Sequence, residues 1–149
     1  MRSQTRCGIV GFGQIGRLYH TVIEQLEASL GLSLTAIADP DLNAISPAGV
    51  RRVTSQHAML ATNEVDAVLI ATPPSDYFAL AVEALEARRH VLVEKPPART
   101  RAEAIALLAK ARSIDRTIFF AYHAQYNPAV EWLRRHVPSE DIVSIRIDY

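Results

Sequence analysis

A glycine-rich turn close to the N-terminus narrows, more than any other feature, what this chain can fold into. The apolar run from Cys7 to Val10 leads directly into Gly11-x-Gly13-x-x-Gly16. A helical pattern begins at once, so the stretch has the strand–turn–helix context of a dinucleotide-binding fingerprint. The first glycine permits the tight turn, the second lets the backbone approach a pyrophosphate, and the third lets the helix pack on its strand. The motif taken alone also fits a glycine-rich turn without a ligand.

In the bound arrangement, the backbone N–H groups of residues 13 to 16 face phosphate at the positive end of the helix. We therefore assign Gly11, Gly13, Gln14 and Ile15 to a cofactor site.

An acidic residue in the expected place supports the same interpretation. Asp39 directly follows the second predicted strand, residues 32–38, and lies about as far beyond Gly16 as the fingerprint requires. A carboxylate there accepts hydrogen bonds from the ribose hydroxyls and repels a 2′-phosphate, which favours NAD over NADP. Two alternatives stay open: Asp39-Pro40 is also a common turn, and Arg51 or Arg52 can hold a 2′-phosphate if the loop folds inward.

Strands and helices alternate along the whole chain, which predicts an α/β fold with a doubly wound parallel sheet. The predicted strands cover residues 6–10, 32–38, 50–53, 66–71, 90–93 and 117–121. The apolar residues predicted to face the core are Ile15, Leu18, Val22, Leu26 and Leu30 on the first helix, and Ile105, Leu108 and Ala109 on the helix after Thr100. Residues 142–149 alternate apolar and polar side chains, which predicts a half-buried strand of a different kind.

Composition excludes several classes of protein. The chain has 149 residues, 49% apolar and 21% charged, an ordinary composition for one globular domain. Its 16 basic and 16 acidic residues balance, so we expect neither nucleic acid nor a membrane as a partner. Cys7 is the only cysteine, which suggests a reducing cytoplasm, and no cluster of ligands predicts a metal site.

Several polar residues follow predicted strand ends, where ligands of parallel sheets bind. They are Gly11, Asp39, Thr72-Pro73, Glu94-Lys95 and Tyr122-His123. Because these ends meet at one edge of the sheet, we expect the residues to line one crevice.

Five stretches in a characteristic order resemble the N-terminal half of the glucose–fructose oxidoreductase/inositol dehydrogenase (Gfo/Idh/MocA) family. They are Gly11 to Gly16, Ile37-Ala38-Asp39-Pro40, Ala71-Thr72-Pro73-Pro74, His90-Val91-Leu92-Val93-Glu94-Lys95-Pro96, and Tyr122-His123 through Asn127-Pro128. The Glu-Lys-Pro box is the most specific of them. The last stretch is similar to that of sugar 1-dehydrogenases acting on galactose or arabinose.

The resemblance implies an NAD(P)-dependent oxidoreductase that transfers a hydride between a sugar or polyol carbinol and the nicotinamide. It implies catalytic roles for Lys95 and His123, and cofactor contacts from Thr72, Pro73, Glu94, Lys95 and Tyr122. It also implies a Rossmann domain over residues 1–140, with residues 141–149 as the first strand of a missing substrate domain. We also expect a homo-oligomer, and we expect that the Lys95-Pro96 bond can be cis, because cis costs little only at an X-Pro bond.

The residues themselves leave other interpretations open. Lys95 can be a solvated lysine paired with Glu94 or Glu103, and His123 can be an ordinary histidine of a strand-end loop. A non-catalytic NAD-binding sensor and an inactive fragment of the enzyme are alternatives for the chain as a whole. Two positions depart from the family pattern: Gln125 stands where arginine is frequent, and Arg88 where glycine usually ends the helix, which predicts a left-handed Arg88.

Overall fold

The computed structural model describes residues 4–41 and 46–138. Six parallel strands form one sheet in the order β3-β2-β1-β4-β5-β6. The strands are β1 (Thr5–Val10), β2 (Leu32–Ala38), β3 (Arg51–Val53), β4 (Ala67–Ile70), β5 (His90–Val93) and β6 (Ile118–Phe120). The helices are α1 (Gln14–Leu30), α2 (Gln56–Leu60), α3 (Tyr77–Glu86), α4 (Arg101–Ser113) and α5 (Pro128–His136), and a 3-10 turn (His123–Tyr126) precedes α5. The predicted doubly wound α/β fold is confirmed.

Neighbouring residues of each strand enter two separate cores, one on each face of the sheet. Val68 and Ile70 of β4 pack under α2, α3 and α4, whereas Leu69 between them faces α1. Of the described helices, α1 alone packs on that second face. Burial there decreases toward the sheet edge: the exposed fraction is 8% for Leu69 and 37% for Phe119. The two faces of the sheet are therefore covered unequally.

The prediction that the apolar stripe of α1 faces the core was wrong for its main residues. Ile15 and Leu18 are 41% and 58% exposed, while Gly16 and Ile23 make the buried contact. A Cβ at Gly16 would overlap the carbonyl oxygen of Gly11. Since this close approach sets the rotation of the helix, the stripe faces the uncovered half of the sheet.

The inward face predicted for the helix after Thr100 was also wrong. In α4, Ile105 and Leu108 are exposed, and Leu107 and Ala111 are buried against α3 and the sheet. Helix α5 begins after Asn127, whose side chain accepts the Ala129 N–H, and none of its residues is buried.

Two backbone predictions are confirmed. The Lys95-Pro96 bond is cis, and Arg88 has φ 58°, in the left-handed region. The strand predicted over residues 142–149 lies outside the described residues. Among the described helices, none has the length and apolar character needed to cross a membrane.

Candidate functional site

The first part of the candidate site is a cleft of about 460 Å³, which we call the glycine cleft. It lies at the carboxyl ends of the strands nearest the first glycine turn. Its lining includes Gly11, Gly13, Ala38, Asp39, Pro40, Thr54, Ser55, Gln56, Thr72, Pro73 and Asp76. Five of the sequence-predicted residues are therefore brought together: Gly11, Gly13, Asp39, Thr72 and Pro73.

The glycines of this cleft do what the fingerprint requires. Gly11 has φ 86°, a conformation that side-chain-bearing residues rarely adopt. A Cβ built on Gly13 meets no atom within 4 Å, so the backbone there is open to a ligand. Gly13 is the N-cap of α1 and makes no side-chain cap, and the first turn of the helix holds no acidic residue. The first N–H groups of α1 are thus available to an anion.

Asp39 is oriented by the backbone on both sides of the cleft. Its Oδ2 accepts the Phe12 N–H at 2.6 Å, and its Oδ1 accepts the Asp41 N–H at 2.9 Å. Each oxygen retains acceptor capacity for a further donor. The turn interpretation of Asp39 is therefore correct as well, and it is compatible with a ribose contact, since the turn holds the carboxylate at the cleft.

The two arginines that suggested NADP do not line the described glycine cleft. The guanidinium of Arg51 pairs with Glu64 and donates to Thr62 Oγ1 at 2.9 Å. The guanidinium nitrogens of Arg52 are buried, with no hydrogen-bond partner among the described residues. Arg51 is therefore engaged away from Asp39, and neither arginine lines the glycine cleft as described.

The second part of the site, which we call the lysine cavity, has a volume of about 370 Å³. It opens at the same edge of the sheet, on the face that carries α1. It is lined by Ile15, Leu18, Tyr19, Val22, Leu92, Glu94, Lys95, Phe119, Ala121, His123 and Tyr126. Both predicted catalytic residues, Lys95 and His123, therefore border one cavity.

The Lys95 side chain is exposed. The carboxylates that the sequence offered as partners accept backbone N–H groups: Glu94 accepts the Lys95 N–H at 3.1 Å, and Glu103 accepts the Arg99 N–H at 2.8 Å. Among the described residues, no hydrogen bond or ion pair involves Lys95 Nζ. Lys95 is therefore solvated, as the alternative interpretation has it, but the described residues do not show its pair with Glu94 or Glu103.

Tyr19 is the residue of this site that sequence reasoning missed. Its hydroxyl donates to Glu94 Oε1 across 75 positions of sequence. Burial, and then the bond to Glu94, raise the pKa of the phenol well above its ordinary value. The hydroxyl is therefore a neutral donor at physiological pH. No local motif signals such a contact.

Other predicted residues lie at the margins. Gln14 and Ile15 open α1, and Ile15 lines the lysine cavity rather than the glycine cleft. Tyr122 follows β6 and is 50% exposed, and it lines neither cavity as described. Thr54 and Ser55 line the glycine cleft although they were not predicted. Their position directly after β3 is the signal that could have found them.

A glycine turn at an open helix N-terminus and an acid after the second strand define a dinucleotide-binding Rossmann domain. The model of the oxidoreductase family with an NAD-binding Rossmann fold matches residues 5–122. The chain belongs to this family, which is the Gfo/Idh/MocA family predicted from its motifs.

Among its relatives is the galactose 1-dehydrogenase of Pseudomonas fluorescens, 32% identical over 146 residues, which are 97% of this chain and 45% of the relative. The UDP-N-acetylglucosamine 3-dehydrogenase of Acidithiobacillus ferrooxidans is 32% identical over 87% of this chain and 41% of its own length. The chain thus spans less than half the length of these relatives.

Solved structures agree with the fold. The WlbA dehydrogenase from Bordetella pertussis, in complex with NADH and UDP-GlcNAcA, superposes with a TM-score of 0.82 at 26% identity, covering 91% of this chain and 40% of that one. The D-galactose-1-dehydrogenase from Rhizobium etli gives 0.77 at 32% identity, covering 91% and 42%.

Proposed function

We propose that this chain is the cofactor-binding part of a dehydrogenase that oxidises a carbinol of a sugar or polyol with NAD. The observation that carries the proposal is the position of two cavities at one edge of the sheet. One offers an anion-binding helix terminus and Asp39, and the other offers an unpaired Lys95. A dinucleotide has two ends, and these are the two environments that its ends require.

The residues present fit NAD. The N–H groups at the start of α1 bind the pyrophosphate over Gly13, which leaves open space for it. Asp39 accepts the adenosine ribose hydroxyls, and Thr72 and Pro73 border the same cleft. In this proposal Glu94 and Lys95 contact the nicotinamide end from the lysine cavity, and Tyr122, which follows β6 outside both cavities, approaches the same end. When bound, NAD supplies the hydride acceptor.

Lys95 carries the proton chemistry in this proposal. A carbinol carbon releases hydride only as its hydroxyl loses a proton, so a nitrogen at that hydroxyl accelerates the step as a base or by stabilising the alkoxide. Lys95 is free to make this contact because its ammonium group makes no hydrogen bond or ion pair among the described residues. His123, on the 3-10 turn of the same cavity, binds the substrate or relays the proton.

The substrate class rests on relatives, whose names describe galactose, inositol and UDP-N-acetylglucosamine dehydrogenases. From these names we propose a sugar-like carbinol as the substrate of this protein. The more specific proposal is a 1-dehydrogenase that acts on galactose or arabinose. Completion of the site by a further, substrate-binding domain, a homo-oligomeric state and a cytoplasmic location also belong to the proposal.

The test is turnover. We expect an aldose or polyol to reduce NAD in the presence of a longer protein that contains this chain, and we expect the chain alone to be inactive. Lys95→Ala should lower kcat about 100-fold or more, the usual range for a lost acid–base group, and leave NADH affinity unchanged. Lys110→Ala is the matched control, since Lys110 pairs with Glu86 away from both cavities. Full turnover by Lys95→Ala would refute the catalytic role, and NADH binding without turnover of any carbinol would favour a sensor.

A further inference from the structure

Glu94 stands between two groups of the lysine cavity. One carboxylate oxygen accepts the Tyr19 hydroxyl, and the other accepts the backbone N–H of Lys95 at 3.1 Å. Glu94 is adjacent in sequence to Lys95, and both side chains line the same cavity. A carboxylate oxygen that lacks a partner and lies within reach of an ammonium group pairs with it.

The position of Tyr19 follows from the glycine motif. Tyr19 lies one helical turn beyond Gly16, whose contact with Gly11 sets the rotation of α1. Its ring packs partly buried against the core formed by Cys7, Ile9 and Ile23. The hydroxyl consequently reaches the end of β5 from a helix that is fixed on β1.

We propose that Tyr19 is a positioning residue, which holds the Glu94 carboxylate away from Lys95 and so keeps the lysine amine available to substrate. The inference rests on the proposed function for its meaning in catalysis, although its structural consequence can be measured without turnover. Without the hydroxyl, Glu94 Oε1 has lost its partner in the cavity. The Lys95 side chain lines the same cavity, and its ammonium group makes no hydrogen bond or ion pair among the described residues, so it is available to take that place.

The chain offers a clean test because Lys95 and Lys110 are its two lysines. An amine reagent such as acetic anhydride, used at trace level, modifies each lysine in proportion to its free amine. Peptide mass spectrometry then gives the ratio of Lys95 to Lys110 modification. Lys110 serves as the internal reference, since its pair with Glu86 lies at 2.9 Å on the other face of the sheet.

We expect Tyr19→Phe to lower this ratio about two- to fivefold, the range expected for a new exposed lysine–carboxylate pair. Tyr77→Phe is the matched control. Tyr77 is the first residue of α3 and lies near Glu94, and its hydroxyl makes no hydrogen bond among the described residues. It should leave the ratio unchanged.

A second variant separates positioning from loss of structure. In the Glu94→Gln background no ionic pair with Lys95 can form, so adding Tyr19→Phe should leave the ratio where Glu94→Gln put it. An unchanged ratio in the single Tyr19→Phe variant overturns the proposal. A decrease that persists in the double variant overturns it too, because Glu94 would then not transmit the effect. Neither result depends on NADH binding or turnover, so a failure of the proposed function is recognised separately.

Discussion

The two cavities at the carboxyl edge of the sheet are built in different ways. In the glycine cleft the contact groups are backbone N–H groups and one carboxylate, and both oxygens of Asp39 are fixed by the backbone. In the lysine cavity they are side chains, and Lys95 and His123 are exposed. The difference is between one end whose carboxylate is held by backbone N–H groups and another end whose polar side chains are exposed.

The uneven cover of the sheet gives this difference a physical origin. The glycine cleft includes Val10, Ala38 and Leu80, residues of the core packed beneath three helices. The lysine cavity includes Leu18, Val22 and Phe119, which are 58%, 38% and 37% exposed. Because these side chains are incompletely buried, they have fewer of the apolar contacts that fix a rotamer. We therefore expect substitutions at the two ends to change different quantities.

The largest effect is expected at Gly16. Because a Cβ there overlaps the Gly11 carbonyl oxygen, Gly16→Ala should lower the free energy of unfolding by on the order of 3 kcal/mol and abolish NADH binding. Gly13→Ala is the matched control, since a Cβ at Gly13 meets nothing within 4 Å. It should unfold like the wild type in urea and yet bind NADH about tenfold more weakly, because its methyl group occupies the pyrophosphate's place. Equal stability of the two variants would contradict this account of the turn.

A smaller and more selective effect is expected at Asp39. Asp39→Asn keeps an oxygen for the Phe12 N–H, which Asp39 accepts at 2.6 Å, and removes the charge. It should reduce the preference for NADH over NADPH by about tenfold, mainly by improving NADPH binding, since a like-charge contact is lost. Isothermal titration of both cofactors measures the preference.

Asp66→Asn is the control for that experiment, because Asp66 pairs with Arg6 at the amino end of the strands. It should leave both cofactor affinities unchanged. A preference that does not respond to Asp39→Asn would remove Asp39 from the ribose site.

The smallest effect is expected far from both cavities, at Arg88. The residue has φ 58° at the end of α3, where glycine carries no steric cost. Arg88→Gly should raise the free energy of unfolding by up to about 1 kcal/mol. The gain is reduced by the stabilisation lost with the hydrogen bond from Arg88 Nη2 to the Ile114 carbonyl at 3.2 Å. Thermal unfolding gives the sign, and NADH affinity should not change. A destabilised variant would show that the side-chain bond outweighs the strain.

The same comparison explains which features could be read from the sequence. Gly11, Gly13 and Asp39 act through local backbone geometry, so spacing alone placed them in one cleft. The direction of the α1 stripe could not be predicted in this way, because the close contact of Gly16 overrides apolar periodicity. The bond between Tyr19 and Glu94 could not be predicted either, since it joins residues 75 positions apart and depends on that helix rotation.

The most direct test of the central claim is a titration of this chain with NADH and with NADPH, followed by nicotinamide fluorescence. The claim is that NAD lies across the strand ends, with adenosine at Asp39 and nicotinamide beside Lys95. It predicts that both ends respond: NADH binds about tenfold or more tightly than NADPH, and its fluorescence changes as the nicotinamide enters the lysine cavity. Binding of neither cofactor, or tighter binding of NADPH, would contradict it.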